Sequence, residues 1–109
     1  MNNERIQQLI RFVQEEPGDP FNIYALAVEY MTEQPTQARP YFDDLLTNHL
    51  DYLPTYYHAA ALYANQGEHE KADALYDKGI ELARKLGKQK TLLELQRAKQ
   101  ALADENEDW

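Results

Sequence analysis

The chain has 109 residues, of which 43% are apolar and 11% aromatic, a composition typical of one folded domain rather than of a disordered segment. It contains no cysteine, so disulfide bridges, thiolate metal sites and cysteine nucleophiles are excluded. The formal net charge of −8 disfavours nucleic acids and anionic membranes as general partners.

Apolar residues recur at helical spacing almost throughout the chain, and no segment alternates with period two for long enough to predict a strand. The sequence therefore predicts an all-α fold of about six helices. The predicted helices span residues 4–16, 20–32, 36–49, 54–67, 68–86 and 88–102.

Residues that favour helix ends mark several of these boundaries. Asp19 is a good N-cap for the second helix, and Pro20 suits its first helical position. Thr36 is the predicted cap of the third helix, in whose first turn Pro40 predicts a slight distortion rather than a break. Gly87 predicts a left-handed end to the fifth helix.

The two ends of the chain predict no membrane association. The first twelve residues lack the apolar run of a secretory signal, and no segment approaches the roughly 18 consecutive apolar residues of a membrane span. We therefore expect a cytoplasmic protein. Residues 103–109 form an acidic tail that we expect to be frayed.

The sequence contains an internal repeat, because residues 23–46 resemble residues 56–80. Matching residues lie 33 apart in the first helix of each copy and 34 apart in the second. The matching pairs are Ile23 and Tyr56, Leu26 and Ala59, Ala27 and Ala60, Tyr30 and Tyr63, Ala38 and Ala72, Phe42 and Tyr76, and Leu46 and Ile80.

The second copy resembles the tetratricopeptide repeat, a helix-turn-helix unit of about 34 residues, of the kind found in small bacterial proteins. The resemblance also implies a role for Gly79. A glycine inside a helix costs about 1 kcal/mol relative to alanine, and the close approach of a neighbouring helix would offset that cost. The residues that carry the resemblance are Tyr56, Ala59, Ala60, Tyr63, Gly67, Ala72, Tyr76 and Gly79.

The first copy departs from the family pattern at two positions. Ile23 stands in place of an aromatic residue, and Leu45 stands where a small residue is expected. Leu50 and Arg84 also occupy places where a unit usually closes with proline. Pro17 does fit that closing position, so the resemblance implies that the N-terminal helix is the second helix of an incomplete preceding unit.

The resemblance implies a right-handed α-solenoid of antiparallel helix hairpins, in a single domain over residues 1–109. An N-terminal helix at 4–17 precedes the first repeat at 20–50 and the second at 53–86. A C-terminal capping helix at 88–102 and the acidic tail follow.

The resemblance further implies a concave groove lined by the first helix of each unit, where residues one step off the packing face meet a partner. Such a groove suits a protein or peptide segment with apolar anchors and an acidic end. The predicted groove residues are Phe21, Tyr24, Val28, Met31, Tyr57, His58, Asn65, Lys88 and Thr91, with Leu95 and Lys99 on the same face of the last helix.

Two alternatives stay open for the first part of this groove. The N-terminal helix, or a second copy of the chain, could cover Phe21, Tyr24 and Val28. Some family members grip a C-terminal carboxylate with polar groove residues, but Tyr24, Val28 and His58 occupy three of those places here. The resemblance therefore does not extend to that activity.

Charge is distributed unevenly along the chain. Residues 1–83 hold 5 basic and 14 acidic residues, whereas residues 84–99 hold 6 basic residues and 1 acidic residue. This basic cluster could recruit an acidic peptide or simply form a solvated face. Asp73 and Asp77 share one helix face, and no basic residue within reach in the sequence suggests a buried site with shifted pKa values there, so we expect both to be exposed.

The residue inventory offers no catalytic machinery. Serine is absent, the four glycines form no phosphate-binding loop, and no set of histidines and acids completes a metal shell. The sequence predicts neither a metal nor a cofactor. It predicts a non-enzymatic scaffold that binds other proteins, with a self-associating structural module as the alternative.

Overall fold

The computed structural model describes the backbone of residues 3–107 and the side chains of residues 3–105. Within that range the chain forms six α-helices and no strand, which confirms the predicted all-α fold. Asp108 and Trp109 of the predicted tail lie outside the described residues. The helices are α1 (Asn3–Glu15), α2 (Pro20–Glu33), α3 (Pro35–Asn48), α4 (Pro54–Asn65), α5 (His69–Leu86) and α6 (Gln89–Glu107).

The helices are grouped in two compact units, which meet in the sequence between Thr55 and Tyr56. In the first unit, α2 packs against both α1 and α3. In the second unit, α5 packs against α6, and Gly79 brings α5 against the start of α4. The described residues thus contain two hairpins of consecutive helices, the first hairpin (α2 and α3) and the second hairpin (α4 and α5).

The start of α2 confirms the predicted cap, whereas the start of α3 does not. The backbone N–H of Phe21 donates to Oδ1 of Asp19 at 3.0 Å, with Pro20 in the first helical position. Thr36 was the predicted cap of α3, but the helix begins one residue earlier, at Pro35, and Gln34 is its cap residue. The fixed φ of proline already suits the first helical position, so the helix starts there.

The two turns of the second unit are closed by glycines with positive φ. Gly87 ends α5 at φ 71° and ψ 27°, and the N–H of Lys88 donates to the carbonyl of Ala83 at 2.9 Å. This confirms the predicted left-handed end of α5. Gly67 has φ 84° between α4 and α5, and α4 ends two residues before it, at Asn65.

The last helix is longer than predicted, since α6 continues past Leu102 to Glu107. The predicted end of the last helix at Leu102 is therefore wrong, whereas fraying of the tail stays a prediction. Leu102 is buried at the point where we expected the helix to end, so its packing stabilises the helix there. The flanking alanines favour helix, and Nε2 of Gln100 donates to Oδ1 of Asp104 at 2.9 Å one turn later.

The close approach predicted at Gly79 is present. A Cβ atom added to Gly79 would lie 2.7 Å from the Cβ atom of Tyr56 and 3.1 Å from Cδ1 of Leu95. These distances are shorter than carbon atoms tolerate without movement. Glycine at this position therefore lets α5 approach α4 and α6 more closely than alanine would.

Candidate functional site

The first unit presents an aromatic face on α2. Phe21, Tyr24, Val28 and Met31 follow one another at spacings of three or four residues, so they lie on one side of the helix. Phe21 is 60% exposed, and the other three are half-buried. The packing stripe of the same helix consists of other residues, namely Ile23, Leu26, Ala27 and Tyr30.

An ion pair joins the N-terminal helix to Glu29 of α2. Nε of Arg5 lies 3.2 Å from Oε2 of Glu29 in an ion pair between α1 and α2. Glu29 follows Tyr24 by five residues, which places it about 140° further round the helix. Since Phe21 is also largely exposed, the alternative in which the N-terminal helix covers Phe21 is wrong.

Tyr24 has a neighbour that the sequence did not suggest. Its ring centroid lies 5.7 Å from that of Tyr52, with the ring planes at 61°. Tyr52 lies between α3 and α4 and is half-buried. Burial raises the pKa of both hydroxyls above 10.0, and the negative charge of Asp19 raises the pKa of Tyr52 further.

Tyr52 was missed because it belongs to no helical stripe. A residue in a connection has no periodic partners, so its contacts depend on how the helices on either side pack. The sequence held one weak signal. A large aromatic side chain in a short connection belongs to no helix, so it is expected to pack against residues of neighbouring helices.

The second unit carries the other predicted residues at its surface. On α4, Tyr57 is 42% exposed, Asn65 is exposed and His58 is half-buried, with the rings of Tyr57 and His58 at 5.5 Å and 67°. Before and within α6, Lys88 is exposed and Thr91 is half-buried. None of these five is buried, and their role in binding stays a prediction.

Leu95 and Lys99, which were predicted to lie on the groove face of α6, lie elsewhere in the structure. Leu95 is fully buried and contacts α5 beside Gly79. It belongs to the packing stripe of α6, with Leu92 and Leu102, because these residues recur at helical spacing on the side that faces α5. The prediction that Leu95 faces a groove is therefore wrong.

Lys99 is held on the side of α6 that meets α5. Its Nζ lies 2.8 Å from Oδ1 of Asp73 and 3.0 Å from Oδ1 of Asp77. The hydrogen bond to Asp73, followed by that to Asp77, raises the pKa of Lys99 above 10.5. The side chains of Asp73 and Asp77 are 46% and 59% exposed, which agrees with the prediction, but they share a basic partner that the sequence did not suggest. Lys99 is therefore not available as a groove cation.

The described residues offer no metal site or membrane span. Within residues 3–107, no group of three or more histidines and acids is arranged to hold a metal ion. None of the described helices combines the length and the hydrophobicity that crossing a bilayer requires.

Solved structures of other proteins are similar to this chain. A solution NMR structure of a tetratricopeptide repeat domain protein from Salinibacter ruber is 41% identical, with a TM-score of 0.74 over 80% of this chain and 89% of that chain. A crystal structure of such a domain protein from the same organism is also 41% identical, with a TM-score of 0.74 over 78% and 97% of the two chains.

A third similar structure is the solution structure of a protein from Bordetella parapertussis. It is 22% identical, with a TM-score of 0.78 over 93% of this chain and 89% of that chain, so it supports the fold alone. No protein-family model matches the sequence, and no curated protein matches it.

Proposed function

Because the chain belongs to the tetratricopeptide repeat family, we propose that it binds a segment of another protein through the exposed faces of α2 and α4. The family is one of helical repeats that mediate protein interaction. The finer proposal concerns which residues of this chain do so. They are Phe21, Tyr24, Val28 and Met31 in the first unit, and Tyr57, His58 and Asn65 in the second.

The observation that supports this proposal is the exposure of Phe21 and Tyr57 on the first helix of each hairpin. Phe21 is 60% exposed and Tyr57 is 42% exposed, although each helix buries other aromatic or aliphatic residues in the core. Tyrosine combines a large apolar ring with a hydroxyl, and it is enriched among residues that dominate binding energy. Burying such rings against a partner is therefore favourable.

The partner is expected to offer apolar anchors to these rings. Lys88, which is exposed at the start of α6, would favour an acidic end on whatever segment reaches it. Lys99 does not take part, since its charge is balanced by Asp73 and Asp77.

The test begins with the full-length chain as bait in an extract of its native cells, with bound proteins identified by mass spectrometry. The affinity of each recovered partner is then measured by calorimetry for Tyr24→Ala and Tyr57→Ala. Loss of an aromatic contact residue should weaken binding about tenfold or more. Leu50→Ala is the matched control, because Leu50 is 58% exposed but lies outside both faces.

Two results decide the proposal. It is supported if at least one tyrosine variant loses affinity while Leu50→Ala and the thermal unfolding midpoint stay unchanged. It is wrong if a partner binds both tyrosine variants as tightly as the wild type.

A second function, self-association, is favoured by a separate observation. Phe12 on α1 and Leu93 on α6 are exposed apolar residues on the terminal helix of each unit, and end helices of repeat proteins need covering. Light scattering from micromolar to millimolar concentration tests this idea, with Leu93→Glu as the variant expected to dissociate an oligomer. A constant monomer mass would reject self-association.

A further inference from the structure

The first unit contains a corner of aromatic rings beside a carboxylate, which we call the aromatic corner (Phe21, Tyr24, Tyr52 and Asp19). The rings of Tyr24 and Tyr52 meet at 61° with centroids 5.7 Å apart. Phe21 precedes Tyr24 by one helical turn and is largely exposed. These residues come from two segments of the chain, the start of α2 and the connection between α3 and α4.

The carboxylate of Asp19 caps the start of α2, the segment that carries Phe21 and Tyr24. One oxygen accepts the N–H of Phe21 at 3.0 Å, and its charge acts on the hydroxyl of Tyr52. A carboxylate has about four acceptor sites on its two oxygens, so the bond to Phe21 leaves capacity for a further donor. No ion pair within the described part of the chain involves Asp19.

Aromatic faces set at an angle beside a carboxylate attract cations. A lysine ammonium or an arginine guanidinium is drawn to a ring face within about 6 Å of its centroid, and a second ring or a carboxylate adds to the attraction. A carboxylate ligand would instead meet the negative faces of the rings and the charge of Asp19. The corner therefore selects for positive charge.

The net charge of the whole first unit also favours a positively charged ligand. Residues 1–55 hold nine acidic and three basic residues. Two of the basic residues, Arg5 and Arg39, are paired with acids of the same unit. The remaining excess of negative charge attracts basic segments and repels acidic ones.

On the premise of the proposed function, we infer that the aromatic corner binds a lysine or arginine side chain of the partner segment. This occupant differs from the acidic end expected near Lys88 in the second unit. A partner that meets both units would then carry a basic residue at one place and an acidic residue at another.

Two matched peptides test the inference on the full-length chain. The probe is a ten-residue peptide of alanine, leucine and three lysines, and its control has glutamate in place of each lysine. Backbone amide shifts are followed by heteronuclear NMR at low salt, where the attraction is least screened. We expect the lysine peptide to shift the signals of residues 19–28 and of Tyr52, and to bind at least about tenfold more tightly than the control.

Three variants separate the charge from the rings. Asp19→Asn removes the charge but keeps the cap of α2, because asparagine caps helices as well as aspartate does. It should weaken the binding of the lysine peptide about threefold to fivefold, as should Tyr52→Ala. Tyr52→Phe keeps the ring and should bind like the wild type. Unchanged amide spectra outside the corner establish that each variant is folded.

The inference is overturned if both peptides bind equally or not at all, if the shifts lie elsewhere, or if Tyr52→Ala and Asp19→Asn bind as the wild type does. These outcomes differ from failure of the proposed function. A natural partner that loses affinity with Tyr24→Ala but not with Asp19→Asn would leave the interaction face in place and remove only its preference for cations.

Discussion

The two hairpins carry residues of different sizes at equivalent buried positions. In the second hairpin, Tyr56 on the first helix meets Gly79 on the second, where an added Cβ would lie 2.7 Å from that of Tyr56. In the first hairpin the equivalent positions hold Ile23 and Leu45, both buried. The first hairpin thus has two side chains of intermediate size where the second has one large residue and one without a side chain.

This difference joins two departures from the family pattern that looked independent in the sequence. Ile23 is smaller and Leu45 larger than the pattern expects, and isoleucine and leucine together occupy more volume than tyrosine and glycine. Protein interiors are close-packed, so Leu45 requires more room between the packed helices than the close approach at Gly79 leaves. The repeat therefore accommodates different local spacing at equivalent positions.

The largest expected effect comes from placing leucine, the residue at the equivalent position of the first hairpin, at Gly79 of the second hairpin. Gly79→Leu should lower the free energy of unfolding by at least about 3 kcal/mol, because the new side chain overlaps Tyr56 and Leu95. Urea denaturation followed by circular dichroism measures the change. The double variant Tyr56→Ile with Gly79→Leu keeps the Cβ atom at position 56, so it should recover little of the loss. Full recovery would show that the ring of Tyr56, and not the close approach of the two helices, causes the overlap.

A cavity in the first hairpin should have the next largest effect. Leu45 is fully buried, so Leu45→Ala should lower the free energy of unfolding by about 3 kcal/mol. The exposed Leu50 gives the control, since Leu50→Ala should change stability by less than about 0.5 kcal/mol. Equal effects of the two variants in the same urea experiment would contradict the burial of Leu45.

A smaller loss of stability should follow from removing one ring of a stacked pair in the first hairpin. Tyr30 and Tyr41 stack with centroids 5.9 Å apart and planes at 14°, whereas the equivalent positions of the second hairpin hold Tyr63 and Leu75. Tyr41→Leu should cost about 1 kcal/mol of unfolding free energy. Tyr41→Phe keeps the stack and should stay closer to the wild type, and the reverse order would assign the effect to the hydroxyl.

The smallest effect concerns Lys99, which is partly exposed. Lys99→Gln should lower the free energy of unfolding at pH 7 by less than about 1 kcal/mol, since solvent screens the pairs with Asp73 and Asp77. The folded-state pKa of Lys99 is raised, so its contribution is complete below pH 10.5 and is lost as the pH rises through the folded-state value.

Urea midpoints of the wild type and two variants from pH 7 to pH 12 measure this loss. Lys99→Arg keeps its charge throughout, so it should increasingly exceed the wild type in stability above pH 10.5, while Lys99→Gln should approach the wild type. Parallel curves for the wild type and Lys99→Arg would show that the two carboxylates do not stabilise the charged lysine.

The fold could be predicted because its signals are local. The N-cap at Asp19 and the left-handed turn at Gly87 each depend on a few neighbouring residues, and both were correctly placed. The errors arose where two local signals competed. Pro35 determined the start of α3 in place of Thr36, and the helix formers around Leu102 prevailed over the acidic composition of the tail.

The candidate site could be predicted only as far as helical periodicity reaches. Periodicity and the resemblance separated the packing stripe of α2 from its other residues, and that stripe is buried. The role of Phe21 and Tyr24 in binding stays a prediction. Periodicity could not supply the contact between Tyr24 and Tyr52, nor the pairs of Lys99 with two acids on another helix. Both contacts depend on how distant segments pack.

The arrangement around Lys99 also gives the chain a built-in chemical reporter. Only the neutral amine of a lysine attacks an acylating reagent, and the two carboxylates on α5 favour the protonated form of Lys99. Lys90 is exposed on the same helix and serves as the reference. The ratio of labelling at these two lysines, read by peptide mass spectrometry on the unaltered protein, therefore reports whether the last helix is docked or detached.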